Sequence, residues 1–111
     1  MRVSNKTADM PIISRQPFAG SNFYGVQGSG SPRASERWYL GGAALEAFAK
    51  DQDAGEIAYS VWSYATPIAW YTKRGEWVVP ADKYSHTTGR HQGIVRRAIG
   101  LPRGAVRATI A

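Results

Sequence analysis

The sequence IAYSVWSYATPIAWYTKRGEWVV, residues 57–79, predicts the centre of the fold. Residues 57–62 place bulky apolar side chains at alternate positions, which is the period of a half-buried strand. Residues 68–72 and 76–79 are similarly rich in aromatic and β-branched residues, and the loop 73–75 ends in a glycine that accepts positive φ. This segment therefore predicts an antiparallel meander of three strands.

Proline and polar residues mark the ends of these predicted strands. Pro67 favours a turn over residues 64–67, and Pro80 ends the third strand. Residues 83–85 suit a short fourth strand. We therefore predict a three- or four-stranded antiparallel sheet.

Two short helices are predicted to pack on this sheet. Residues 43–51 are good helix formers, and Gly55 follows them as a terminating glycine. A second helix over residues 88–99 is expected to begin at a capping threonine and to end at Gly100. With both helices covering one face of the sheet, the chain is predicted to be an α+β protein.

The other residues divide the chain into three predicted parts. Residues 1–34, in which glycine, serine and proline accumulate, are expected to form a partly ordered, extended N-terminal arm. Residues 35–100 form a single α+β domain, and residues 101–111 form a basic C-terminal tail. The length of 111 residues supports one modest core.

Composition narrows the class of protein. The chain has no cysteine, which excludes disulfides and thiolate metal sites and favours a reducing compartment. It has no run of about 20 apolar residues that would cross a bilayer. We therefore expect a cytoplasmic protein with no membrane partner.

The positive charge is concentrated in the last quarter of the chain. Residues 1–82 contain eight basic and eight acidic residues, whereas residues 83–111 contain six basic and no acidic residues. The formal net charge of +6 therefore arises entirely after residue 82. A local excess of this kind attracts polyanions such as nucleic acid, although a charged surface also serves solubility alone.

The predicted binding residues lie in and around the final helix. Its outward face is expected to present Arg90, Arg96 and Arg97 to phosphates, with Lys83 and Arg103 on either side. Aromatic rings of the meander would add stacking surfaces for bases if the outer face of the sheet is open. These rings are Trp62, Trp70, Tyr71 and Trp77.

His91 is the main candidate for catalytic chemistry. Its ring is suited to general acid–base work, and Gln92, Thr88 and Tyr84 are hydrogen-bonding groups close to it in sequence. However, His91 falls on the apolar stripe of the predicted helix, where a histidine more often packs in the core. We therefore assign no catalytic residue and keep these four as weak candidates.

Metal and cofactor sites are not expected. His86 and His91 do not form a zinc motif, and no carboxylate follows Asp82. The glycine-rich residues 25–30 lack the Lys-Ser or Lys-Thr pair that closes a phosphate-binding loop. The sequence therefore predicts neither a metal nor a cofactor.

Three sequence blocks resemble a family of short uncharacterised proteins from actinobacteria and their phages. Residues 63–70, SYATPIAW, and residues 84–92, YSHTTGRHQ, resemble its SYATPIAW and YSxTTxRHQ motifs, and residues 17–22, PFAGSN, resemble its N-terminal motif. The resemblance implies an actinobacterial or phage origin, the host cytoplasm as the location, and no assigned reaction. His86 departs from the smaller residue expected at its position, so no role unique to it is expected.

Three functions are weighed on this basis. The first is a non-enzymatic accessory protein that binds nucleic acid through its basic C-terminal helix. The second is a phage-encoded binder that inhibits or redirects a host protein by means of exposed aromatic and arginine side chains. The third is an enzyme that uses His91.

Overall fold

A computed structural model of the chain describes residues 2–30, 42–64, 66–80, 86–101 and 107–109. The helices in these ranges are α1 (Asp9–Ile13), α2 (Gly42–Asp53) and α3 (His86–Ile99). The strands are β1 (Phe18–Ala19), β2 (Phe23–Gln27), β3 (Ile57–Ser63), β4 (Thr66–Thr72), β5 (Glu76–Val78) and β6 (Arg107–Thr109). Every strand pairs antiparallel with the next one in the chain, which gives one sheet in the order β1-β2-β3-β4-β5-β6.

The α+β class is confirmed, but the predicted number of strands is too small. β2 pairs with β3 from Phe23 opposite Ser63 to Gln27 opposite Tyr59, so the predicted N-terminal arm supplies part of the sheet. β6 lies within the predicted C-terminal tail and pairs with β5. Glycine and polar residues make these two strands difficult to recognise in the sequence. Each becomes a strand because it pairs with a neighbouring strand of the sheet. The predicted strand over residues 83–85 lies outside the described residues.

The helices cover opposite faces of the sheet, so the prediction that both lie on one face is wrong. α2 lies over one face, where Phe48 packs edge-on against Trp62 and Trp70 with ring centroids 5.8 and 5.0 Å away. α1 and α3 pack on each other and on the other face. The buried residues of that larger cluster include Ile12, Phe18, Phe23, Tyr59, Val61, Ala69, Trp77, Ile94, Val95 and Leu101. Because both faces are covered, β3 and β4 are buried along most of their length.

Pro67 lies inside β4, whereas the sequence predicts it in a turn. Ser63 pairs with Thr66, so the chain reverses before the proline, and Pro67 itself pairs with Trp62. The register shifts next to this pair, between Val61 and Trp62. An irregularity of this kind lets a central strand accept a residue that has no N–H to donate.

The terminating glycines of the two predicted helices are confirmed, although α2 continues to Asp53 and α3 begins at His86, so the prediction that a threonine caps α3 is wrong. After α2, Gly55 has φ 68°, and the N–H groups of Glu56 and Gly55 donate to the carbonyls of Asp51 and Gln52 at 2.9 and 3.0 Å. After α3, Gly100 has φ 71°, and the Leu101 N–H donates to the Arg96 carbonyl at 2.9 Å. Glycine tolerates the left-handed conformation that such terminating turns require.

Gly25 in β2 allows β1 and the preceding segment to lie close to the sheet. A Cβ at this position would collide with the Tyr59 hydroxyl and the Phe18 ring. The same hydroxyl donates to the Gln16 carbonyl at 2.7 Å, and Phe18 meets Phe23 edge-on at 5.2 Å. The described part of the predicted arm is thus packed through specific contacts rather than laid loosely on the domain.

Candidate functional site

His91 is buried between α3 and the sheet, with 1% of its surface exposed. Its ring stacks on Phe23 with a centroid distance of 4.2 Å and an interplanar angle of 4°. A hydrogen bond of 2.7 Å joins His91 Nδ1 to Ser63 Oγ, which is also buried. Burial lowers the pKa of His91 to about 4, so its ring is neutral at pH 7.

These contacts give His91 a structural role. The stacking and the hydrogen bond attach α3 to β2 and β3, while Gln92 donates to the Pro80 carbonyl at 3.2 Å. A general base has to reach the proton that it abstracts, and a ring with 1% exposure is enclosed by protein. Of the other weak catalytic candidates, Tyr84 and the side chain of Thr88 lie outside the described residues.

Metal ligation finds no support in the part of the chain that the structure describes. No group of three or more histidine, aspartate or glutamate side chains converges there in a way that would hold a metal ion. The hydrogen bond with Ser63 occupies one nitrogen of His91, and the ring is stacked on Phe23. The arrangement therefore favours packing over coordination.

The structure divides the predicted arginine cluster. Arg96 is half-buried, and its guanidinium donates to the Val79 carbonyl at 3.0 Å. Burial lowers the pKa of Arg96 relative to that of a free guanidinium. The expectation that Arg96 lies on the outward face beside its neighbours is therefore wrong, because its side chain ties α3 to the end of β5.

Arg90 and Arg97 are both exposed. Seven residues separate them, which places them on the same side of α3 about 10 Å apart along its axis. The sequence of α3 contains no acidic residue, and within the described ranges neither guanidinium has an ion-pair partner. Lys83 and Arg103, the other predicted binding residues, lie outside the described residues.

The aromatic rings proposed for base stacking are mostly buried. Trp62, Trp70 and Trp77 have at most 1% of their surface exposed, and the guanidinium of Arg15 lies 4.4 Å from the centroid of the Tyr71 ring. The expectation that the three tryptophans would stack on a ligand is wrong, because the helices cover both faces of the sheet, whereas Tyr71 is half-buried and in contact with Arg15. The exposed ring among the described residues is Tyr64, at 37%.

Tyr64 is the residue that sequence reasoning missed. It follows β3 directly and has φ 57°, while its backbone N–H donates to the Asn22 carbonyl at 2.9 Å. The sequence feature that could have identified it is a tyrosine, instead of glycine or asparagine, where the chain turns between two apolar strands. That point lies at the same end of the sheet as Ser63 and His91.

A cleft with basic residues lies beside the turn between β1 and β2. Its volume is about 540 Å³, and Arg2, Ser4, Lys6, Gly20 and Ser21 line it. The Val3 N–H donates to the Ala19 carbonyl at 2.9 Å, which holds the N-terminal segment along β1. Both cations of the cleft are exposed.

α1 carries exposed apolar side chains next to this basic surface. Met10 is 69% exposed and Ile13 is 50% exposed, whereas Ala8 and Ile12 face the core. α1 packs directly on α3. No helix within the described residues is long and apolar enough to span a membrane.

Comparison with known proteins identifies a family without assigning an activity. The chain matches no curated protein and no solved structure. A family model described as a family of unknown function (DUF8033) matches residues 15–98, from the segment before β1 to the last turn of α3. The match covers most of the chain and includes β2, which lies within the predicted arm. The chain therefore belongs to this family of unknown function, DUF8033.

Proposed function

We propose that the protein is a non-enzymatic binding protein that contacts nucleic-acid phosphates through Arg90 and Arg97. The observation that carries this proposal is the placement of two exposed guanidinium groups on one side of α3, on a helix without an acidic residue. The net charge of +6, which arises after residue 82, supports the same choice of partner. Guanidinium groups bind phosphate oxygens through paired, charge-assisted hydrogen bonds.

Binding of this kind is expected to depend strongly on salt and weakly on sequence. Contacts to phosphates fix the position of a protein on nucleic acid but do not read bases. Each neutralised phosphate releases condensed counterions, so affinity falls as salt rises. Arg96 is not assigned to binding, because its hydrogen bond to the Val79 carbonyl attaches α3 to the sheet.

The enzyme alternative is the weakest of the three functions. It requires His91 to meet a substrate, yet the ring is stacked on Phe23 and bonded to Ser63 with 1% exposure. A neutral imidazole in these surroundings forms the hydrogen bond that the buried Ser63 hydroxyl needs and packs α3 against the sheet. We therefore do not develop an active site around it.

The test is a binding titration of the double variant Arg90→Ala/Arg97→Ala. A labelled single-stranded oligonucleotide of about 16 nucleotides serves as probe, and fluorescence anisotropy is followed over a series of salt concentrations. Loss of two contacts should reduce the slope of log K against log salt by about 1.4 for a single strand and about 1.8 for a duplex. The matched control is Lys50→Ala/Lys73→Ala, which removes the same charge from two exposed positions on α2 and the β4–β5 turn.

The control variant should retain most of the wild-type slope. Equal slopes for the wild type and the Arg90/Arg97 variant, with both folded, would contradict the proposal. Equal losses in both double variants would show that only net charge matters, which also contradicts a site on α3.

A second candidate function is a phage-encoded binder that inhibits or redirects a host protein. The specific observation in its favour is the exposure of Met10 and Ile13 on α1, the helix that packs on α3. Methionine and arginine are enriched at protein interfaces. The family resemblance makes an actinobacterial lysate the appropriate source of partners.

This second function is tested by a pull-down from a nuclease-treated lysate. A stoichiometric protein that is retained by the wild type, and lost with Met10→Ser/Ile13→Ser, would support it. Both side chains are exposed, so this variant should remain folded. Capture that depends on intact nucleic acid would instead support the first function.

A further inference from the structure

We propose that the nucleic acid is single-stranded and that Tyr64 is the surface on which one of its bases stacks. A phosphate next to that base would bind in the cleft between Arg2 and Lys6. This inference rests on the proposed function, because it names the class of nucleic acid and adds contacts at the same end of the sheet. None of the three residues was singled out by the sequence.

The first support is the exposure of the Tyr64 ring. Three tryptophans that would offer larger stacking surfaces are buried under the helices, whereas 37% of Tyr64 is exposed at the end of β3. Stacking of bases on aromatic side chains tolerates any sequence, because every base has a π-face. An exposed aromatic side chain is the first element that such binding requires.

The second support is the backbone conformation of Tyr64. Its φ of 57° lies in the left-handed region, where glycine and asparagine are favoured over a bulky residue. The register Ser63 opposite Thr66 leaves a two-residue connection, and the hairpin turns of that length require positive φ at the first position. A tyrosine at such a position is disfavoured by the turn, so we infer that its ring serves something other than the turn.

The third support is the location of the cations relative to this ring. Tyr64 donates its N–H to Asn22, which follows the Gly20–Ser21 wall of the cleft that holds Arg2 and Lys6. Ser63, the residue before Tyr64, is hydrogen-bonded to His91, the residue after Arg90. One backbone hydrogen bond therefore connects Tyr64 to the strand that follows the cleft, and one side-chain hydrogen bond connects its neighbour Ser63 to α3 next to the arginine row, Arg90 and Arg97.

The chemistry of the cleft suits a phosphate group. Its lining combines the two cations with the hydroxyls of Ser4 and Ser21, and no acidic side chain lines it. Hydroxyl and cationic donors together neutralise and orient phosphate oxygens. The volume of about 540 Å³ and its open form leave room for a phosphate that remains part of a chain.

A single strand fits this arrangement better than a duplex. Bases within a duplex are stacked on one another and present only their edges, so a tyrosine at a turn has no base face to contact. A single strand exposes base faces and has the flexibility to pass from the cleft over Tyr64 to Arg90. Duplex binding would use the arginine row alone.

The test compares Tyr64→Ala, Tyr64→Phe and Tyr64→Asn with the wild type on a single strand and on the matching duplex. Tyr64→Ala and Tyr64→Asn should weaken single-strand binding about tenfold or more, with little effect on the duplex. Tyr64→Phe keeps the ring and should bind as the wild type does. Arg2→Ala/Lys6→Ala should lower the salt slope for the single strand by about 1.4.

Thermal unfolding of the same variants separates loss of binding from loss of folding. Tyr64→Asn relieves the left-handed conformation, so it should keep or raise the melting temperature while it weakens binding. A stabilised variant that binds poorly cannot owe the effect to misfolding.

The outcomes distinguish this inference from the proposed function. If Arg90→Ala/Arg97→Ala lowers the salt slope while the three Tyr64 variants bind like the wild type, the stacking site is wrong and the arginine row stands. Equal wild-type affinity for single strand and duplex also overturns the stacking site. If the wild type binds neither probe in a salt-dependent way, both proposals fail.

Discussion

The chain reverses direction at both ends of the central sheet, and a different residue type occupies the left-handed position in each turn. Between β3 and β4 the left-handed position is occupied by Tyr64, with φ 57°, and between β4 and β5 it is occupied by Gly75, with φ 85°. Both positions require a conformation that glycine adopts without penalty. The turn at Gly75 thus uses the residue favoured for stability, and the turn at Tyr64 does not.

The charged and polar groups around the two turns also differ. Near Gly75, the carboxylate of Asp51 accepts a 2.9 Å hydrogen bond from the Trp70 indole and lies 3.7 Å from the Arg74 guanidinium. Near Tyr64, the buried polar groups include the neutral ring of His91, and Arg90, which precedes His91 in α3, has no ion-pair partner within the described residues. The arginine of the first turn thus has a carboxylate partner, whereas Arg90 remains available to a ligand. We infer that the Gly75 end serves stability and the Tyr64 end serves binding.

The largest expected effect is a pH dependence of stability that originates at the Tyr64 end. The folded-state pKa of His91, about 4, lies below the unfolded value of 6.5, so only the unfolded chain takes up this proton between these pH values. The free energy of unfolding should therefore fall by about 3 kcal/mol as pH decreases from 7 to 4. Urea unfolding at several pH values measures it.

The control for this prediction is His91→Gln, which keeps hydrogen-bonding capacity without a titrating ring. Its stability at pH 7 is expected to be lower, but the part of the pH dependence due to His91 should be absent. Parallel pH profiles for this variant and the wild type would show that His91 does not titrate as its burial indicates.

The next effect concerns the Gly75 end. Asp51→Ala removes the acceptor of the buried Trp70 indole N–H, and an unsatisfied buried donor costs about 1–3 kcal/mol. Asp51→Asn retains an acceptor oxygen and should lose less. The difference in urea midpoint between the two variants isolates the hydrogen bond, and equal losses would assign the effect to charge instead.

A smaller effect should follow from changing the turn residues themselves. Gly75→Ala places a Cβ at φ 85° and should reduce the free energy of unfolding by about 1–2 kcal/mol. Tyr64→Asn should be neutral or stabilising by up to about 1 kcal/mol, because asparagine tolerates this conformation. Thermal unfolding of both variants compares the turns directly. Destabilisation by Tyr64→Asn as large as that by Gly75→Ala would mean that the tyrosine serves the turn after all.

The smallest effect is expected from Arg74→Ala. The Arg74 side chain is 56% exposed and 3.7 Å from the Asp51 carboxylate, so solvent screens this ion pair. Exposed pairs of this kind contribute about 0–1 kcal/mol. Chemical unfolding at low and high salt should show a change of no more than this size, and a larger loss would require an additional packing role for the arginine.

Part of this architecture could be predicted from local sequence patterns. The positions of α2 and α3, the central strands and the terminating glycines Gly55 and Gly100 follow from periodicity and helix-end signals, which depend on neighbouring residues. β1, β2 and β6 could not be predicted in the same way, because their order comes from pairing with segments distant in sequence. Gly25 illustrates the problem, since a glycine that weakens a strand in isolation is required by the approach of Phe18 and Tyr59.

The candidate site was predicted only in part, because contacts between distant segments decide which of its residues are exposed. The sequence alone determined the α+β class, the concentration of positive charge after residue 82 and the apolar stripe that places His91 inward. Only the tertiary structure decided that Arg96 supports β5, that the tryptophans are covered and that Tyr64 remains exposed. Periodicity specifies which side of an element a residue occupies, but the contacts of distant segments determine whether that side is buried or free to bind a ligand.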